Sequence, residues 1–270
     1  MSNMFESIKN ALNTKGSNSS FKDFLKTEVG KSYVVRFIAN ENVTPIQTFY
    51  QYYHHGWTSK STGQFVHTLC PSTNGERCPI CEQRFKLAKS AATQDLAKDA
   101  NRKQNWLASV YVISDPTNPD NNGTVKLLRF GKQIKDIITN AVEGDDKAEV
   151  GSDRIFDLTE NGCSFRIKVE KNEGGFPTFV YSKFLSKGAI EGLTPDKIKE
   201  IKKSAFNLLE INKPKTTAEL TEMINTHLLC VLPESPASKA EPVASKVEEK
   251  PVVKVTGSTN DKIRQLIDGI

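Results

Sequence analysis

Three cysteines and up to three histidines within a short stretch have the types and spacing to hold a soft metal ion. Cys78 and Cys81 form a C-x2-C pair around Pro79 and Ile80, and Cys70 lies eight residues upstream. A tight turn of this kind brings two thiolates onto one metal. C-x2-C pairs also serve redox chemistry, but a third nearby cysteine and neighbouring histidines point to metal. His54, His55 and His67 are all candidates for the fourth ligand. His55 precedes Gly56, as a ligand entering from a strand would, while His67 is three residues from Cys70. His54, adjacent to His55, faces the opposite side of any strand containing both. Three thiolates and an imidazole fill a tetrahedron and leave no position for water or substrate. The expectation is therefore one structural zinc ion, Zn2+. Its three thiolates make the site net negative, so the metal itself is no phosphate anchor.

A second chemistry is electrostatic. The formal charge of the 270 residues is +5, and residues 233–270 carry six basic and six acidic side chains, so the excess lies earlier. Between Arg84 and Lys135 there are ten basic residues, among them Arg102, Lys103, Lys126, Arg129 and Lys132, against four acidic ones. Such a surplus attracts polyanions, although an ordinary solvated face can have the same composition. Catalytic signatures are missing: there is no phosphate-cradling Walker loop, no H-E-x-x-H, and no carboxylate pair near the histidines. The chain reads as a non-enzyme. Nothing approaches the roughly 18 apolar residues of a membrane span, and the N-terminus has no basic region followed by an apolar run. This predicts an intracellular protein without a membrane partner. Cys163 and Cys230 stand apart and are expected as small buried apolar residues.

These groups must be positioned by a mainly β scaffold. Ser32 to Ile38, Ile46 to Tyr53, Trp106 to Ile113 and Val125 to Phe130 are rich in β-branched and aromatic residues and read as strands. Phe165 to Val169 and Thr178 to Phe184 read as two hairpin arms around Gly174-Gly175. Phe85 to Asp99, Ile134 to Val142, and the run after Thr216 with its Glu219 capping-box partner read as helices. Short strands without a βαβ rhythm predict a barrel-like core and not a doubly wound sheet. The spacing of Met4, Phe5, Ile8 and Leu12 suggests a short helix within an N-terminal arm, residues 1–20. The core follows over 21–232. Pro, Ala, Ser, Val, Lys and Glu dominate 233–260, a predicted disordered linker. It leads to 261–270, where Ile263, Leu266, Ile267 and Ile270 form an apolar stripe suited to a partner.

The order of motifs is specific. His55-Gly56-Trp57, Phe65, Cys70 and Cys78-Pro-Ile-Cys81 are followed by the block Trp106 to Pro116, the block Gly123 to Lys132, and Ser182-Lys-Phe-Leu. Together they resemble the helix-destabilising single-stranded DNA-binding proteins of T-even phages, the gene thirty-two products. The resemblance covers roughly residues 31–190 and implies a five-stranded OB-fold barrel with an inserted zinc subdomain, about 46–90, and peripheral helices. It favours His55 as the ligand beside Cys70, Cys78 and Cys81. It further implies that Phe65, Trp106, Arg129, Phe176 and Phe179 line a cleft for single-stranded DNA, with Arg102, Lys103, Lys126 and Lys132 as basic neighbours. Asn105 and Leu128 stand where cleft tyrosines are expected.

The implied function is a coat that protects exposed strands without sequence specificity, in DNA replication, recombination and repair, in the cytoplasm of an infected host cell. Self-association along DNA through residues 1–20 and docking of replication and recombination proteins on the C-terminal tail belong to the same expectation. The arm has only Lys9 and Lys15 where the family has a basic motif, and the tail is charge-balanced where the family's is acidic. The competing reading is a zinc-ribbon transcription or RNA-binding module whose metal loop contacts the polymer.

Overall fold

The computed structural model describes residues 23–211 and 213–230. The arm at 1–20, the linker at 233–260 and the docking peptide at 261–270 lie outside the described residues. The chain divides into two compact units. Among the described residues, one takes 23–55, Thr68–Arg77 and Arg102–Lys215; the other takes Gly56–His67, Cys78–Asn101 and 216–230.

The strands of the main sheet are β1 (Ser32–Ile38), β2 (Tyr50–Thr58), β3 (Phe65–Leu69), β4 (Arg102–Ser114), β5 (Val125–Phe130), β6 (Cys163–Lys168) and β9 (Lys183–Lys187). Backbone pairing follows β3-β2-β4-β1-β6-β9, with β5 branching from β4. β4 is the organising strand. Its residues 102–107 pair with β2 and 109–114 with β1, while β5 pairs with 106–111. Because β5 overlaps both partners, β2 and β1 must share one edge of β4 end to end, with β5 on the other. Where a five-stranded OB-fold barrel is expected, the sheet has seven strands, and among the described residues no pairing joins the two ends of its path.

Alternation along these strands builds the core. Tyr33, Val35 and Phe37 of β1, Ala108, Val110 and Val112 of β4, and Phe165 and Ile167 of β6 are all buried on one face. Helix α3 (Lys132–Glu143) closes that face with Ile134, Ile138 and Ala141, which recur at helical spacing. Between β1 and the loops around it, the Arg36 guanidinium is 1% exposed and donates to the carbonyls of Asp157, Thr159 and Gly188 and to Ser164 Oγ. Burial lowers its pKa, opposed by the nearby Cys163 and Asp157. Cys163 is buried, as expected of it, whereas Cys230 is half-buried.

Several boundaries differ from the sequence reading. β2 begins at Tyr50, because Gln47 is taken by an isolated bridge to Asn40. The helix expected from Phe85 to Asp99 is two helices, α1 (Pro79–Leu87) and α2 (Gln94–Asp99), separated where Ser90 caps a short 3-10 turn by accepting from Ala92 N. The hairpin around Gly174-Gly175 has the expected arms paired at Phe165↔Phe184 and Arg166↔Lys183, but its ladder is interrupted, so that the two-residue strands β7 (Glu170–Lys171) and β8 (Pro177–Thr178) lie next to the turn and β9 pairs with β6 farther out. Helices α4 (Gly151–Ile155), α5 (Pro195–Lys203) and α6 (Leu208–Ile211) were not anticipated.

In the second unit, α1 and α2 lie with α7 (Thr217–Met223), whose Thr216–Glu219 capping box forms as expected. A π-helical turn over Ile224–Leu229 follows, and Trp57 Nε1 donates to His227 O at 3.1 Å.

Candidate metal centre and nucleic-acid interface

The ligand atoms of His55, Cys70, Cys78 and Cys81 all lie within 4.8 Å of one another. His55 is fully buried, Cys70 and Cys78 nearly so, and Cys81 is half-buried. A metal–thiolate bond of about 2.3 Å puts tetrahedral neighbours roughly 3.8 Å apart, so this quartet fits one tetrahedral ion. Local structure explains the convergence. His55 leaves β2 on one face, Cys70 ends β3, and Cys78 is the N-cap of α1, with Pro79 in its first turn and Cys81 on that turn. His54 turns the other way, with Nε2 2.8 Å from Asn105 Nδ2, and His67 is exposed outside the quartet.

The register between β2, β4 and β5 sorts the expected DNA contacts onto two faces, since directly paired residues project to the same side. On one side Gln51 opposes Trp106, Tyr53 opposes Gln104, and His55 opposes Arg102. The Arg102 guanidinium lies 4.3 Å from the Tyr53 ring centre. Trp106 is half-buried and stacked on Phe130, its pairing partner on β5, with ring centres 6.2 Å apart and planes at 16°. Lys132 opens α3 two residues beyond Phe130. Gln133, next to it, accepts from Phe179 N at 2.8 Å and donates to Thr178 Oγ1 at 3.2 Å. That anchors the hairpin bearing Phe179, half-buried against the core, and Phe176, 70% exposed. Arg102, Tyr53 and Trp106 therefore project from one face of the sheet, while Lys132 is paired with Asp136 on α3 and Phe176 and Phe179 sit on the hairpin that Gln133 holds.

Arg129 and Lys103 project from the opposite side, opposing Leu107 and His54. There Tyr52 is buried, and burial raises its phenol pKa against the charge of Arg129 and hydrogen bonds to Asn105 and Arg129. The structure thus does not bring Arg129 together with Trp106, although the two are neighbours across β4 and β5. Lys126, half-buried near the start of β5, opposes Val110, four pairs from Trp106. Phe65 belongs to the second unit, where its exposed ring rests on Gly56; a Cβ there would fall 2.8 Å from the Phe65 Cζ. Tyr53 and Gln51 escaped the sequence reading, and only the cross-strand register could have singled them out.

Residues 29–229 match the family model described as gp32 DNA binding protein like. The chain belongs to this family. Among relatives in the gp32-like family, the single-stranded DNA-binding protein of Enterobacteria phage T4 is 29% identical over 227 residues, spanning 80% of this chain and 73% of that protein. The single-stranded DNA-binding protein of Enterobacteria phage T2 matches at the same identity and coverage. Among the described residues, no helix is long and apolar enough to cross a membrane.

Proposed function

We propose that this chain binds single-stranded DNA without sequence selectivity and coats exposed strands during DNA replication, recombination and repair. The observation that carries the reading is the face bearing Arg102, Tyr53 and Trp106 in a chain of the gp32-like family, and Lys132, Phe179 and Phe176 are read as continuing it into one strip. Guanidinium and ammonium groups neutralise phosphates, while ring faces stack on bases of any identity, each stack contributing about 1–3 kcal/mol. Stacking needs unpaired nucleotides, whose bases are free to leave one another, whereas the phosphate contacts add affinity without that distinction. Nothing in this arrangement performs turnover, so the product of binding is a protected strand.

The metal is read as a single zinc ion on His55, Cys70, Cys78 and Cys81. It would supply structural cross-linking and no chemistry, because the protein donors fill the tetrahedron. The core is read as an OB-type barrel with an inserted zinc subdomain. What supports this is the way β4 serves β2 and β1 along one edge and β5 along the other, as strands do where a small barrel turns its corner. Arg129, Lys103 and Lys126 are read as flanking phosphate contacts outside the strip. Self-association through residues 1–20, recruitment of replication and recombination proteins through 261–270, and action in the host cytoplasm complete the proposal.

A second reading has one observation in its favour. Phe65 and Phe85 are 65% and 62% exposed, and Arg84 lies 5.2 Å over the Phe85 ring. A metal-loop module contacting RNA or DNA directly would use these groups. Titrating tryptophan fluorescence with oligothymidylate and with duplex of equal length, at two salt concentrations, tests the main reading. Tight, salt-sensitive binding to the single strand is expected; preference for duplex would reject it.

A further inference from the structure

The turn that follows Cys70 touches both the metal quartet and the strip. Cys70 N donates to Tyr53 O at 2.9 Å and Tyr53 N donates to Thr73 Oγ1 at 2.9 Å, so the 3-10 turn Pro71–Asn74 is clamped onto β2 at Tyr53. Within that turn Ser72 Oγ lies 3.0 Å from Cys70 Sγ and accepts from Arg102 Nη1 at 3.2 Å. Arginine can only donate, so it takes a lone pair of the hydroxyl and leaves the single hydroxyl proton for the sulfur. With Cys70 as a thiolate the sulfur can only accept, and the direction of the chain guanidinium to hydroxyl to thiolate is fixed. The same Arg102 covers Tyr53. A side chain of this length on an exposed strand end would otherwise sample many rotamers and lose that freedom when ordered on binding.

We propose that Ser72 is a positioning residue that holds Arg102 over Tyr53 for a DNA phosphate or base and ties that grip to the metal-bound state of Cys70. The proposal rests on the single-stranded DNA reading. Loss of metal would free the Cys70 sulfur, release Ser72 and let Arg102 swing away from Tyr53.

Two measurements on the full metal-loaded chain test it. The first needs no DNA: the Arg102 Nε–Hε NMR signal should be ordered in the natural protein and in Ser72→Thr, and exchange-averaged in Ser72→Ala and after metal removal. An Arg102 signal unchanged in Ser72→Ala overturns the proposal, whatever the protein binds. The second is a mutant cycle with oligothymidylate. Ser72→Ala should weaken binding about 3- to 10-fold with one metal per chain retained, Ser72→Thr should restore it, and adding Ser72→Ala to Arg102→Ala should change nothing further. Independent, multiplying losses would overturn the coupling, and metal loss in Ser72→Ala would assign Ser72 to metal retention alone. Failure of the natural protein to bind the oligonucleotide would instead reject the functional reading and leave the NMR result to decide the role of Ser72.

Discussion

One face of the Trp106 ring stacks on Phe130, and its half-buried state leaves area for a base. Trp106→Leu keeps an apolar group against Phe130 but removes the stacking plane. Binding to oligothymidylate should weaken by about 1–3 kcal/mol in an equilibrium titration. Unchanged affinity would assign the ring to packing alone. Asp115 shows the opposite use of a polar side chain. Its carboxylate is 2% exposed, and burial alone would raise its pKa. Hydrogen bonds from Asn121 Nδ2, the Thr117 hydroxyl and the backbone N–H groups of Asn118 and Thr117 outweigh burial and hold it below the usual carboxylate range. With the folded pKa below the unfolded one, the charged group contributes stability at neutral pH, and that contribution is lost as pH falls through the folded value. Asp115→Asn should therefore be less stable than the natural protein at pH 7, with the gap in urea midpoints closing below about pH 4. A constant gap would contradict this account of the loop.

At the scale of elements, Gln133 of α3 hydrogen-bonds the hairpin β7/β8 at Thr178 and Phe179. Gln133→Ala should speed amide exchange at Phe179 and weaken oligonucleotide binding severalfold, with little change in melting temperature. Unaltered exchange would show that the hairpin positions itself. The hairpin also marks where sequence legibility ends. Gly174-Gly175 signals a turn correctly, with Gly175 at φ +79°, but nothing local tells that the ladder breaks after two pairs before it resumes between β6 and β9. The metal quartet was legible because cysteine spacing is a local property, and the choice among histidines needed strand alternation or resemblance. The division of Trp106 and Arg129 between two faces follows from period-2 alternation once Phe130 is known to oppose Trp106. That register is a tertiary fact, as is the meeting of Arg102 with Tyr53. Helix α5 was missed for a different reason. Thr194 accepts from Lys197 N, with Pro195 in the first turn, a start signal present in the sequence but not used.

For the molecule as a whole, the proposed function needs both a structural metal and a surface for an unpaired strand. A chain that buries His55, Cys70 and Cys78 around a common point would concentrate thiolate charge there without an ion. Chelation is thus expected to release one zinc per chain, counted by mass spectrometry of the native protein, and to speed amide exchange across Cys70 to Leu87 while the β1–β6 ladder keeps its protection. A chain purified with no metal and unaffected by chelator would contradict the metal assignment. The surface itself is tested most directly by photo-crosslinking full-length protein to oligothymidylate and mapping the adducts by mass spectrometry. The account predicts adducts at Tyr53, Trp106, Phe176 and Phe179, competed by single-stranded and not by duplex DNA. Adducts confined to Phe65 and Phe85, with the strip left unmodified, would contradict it.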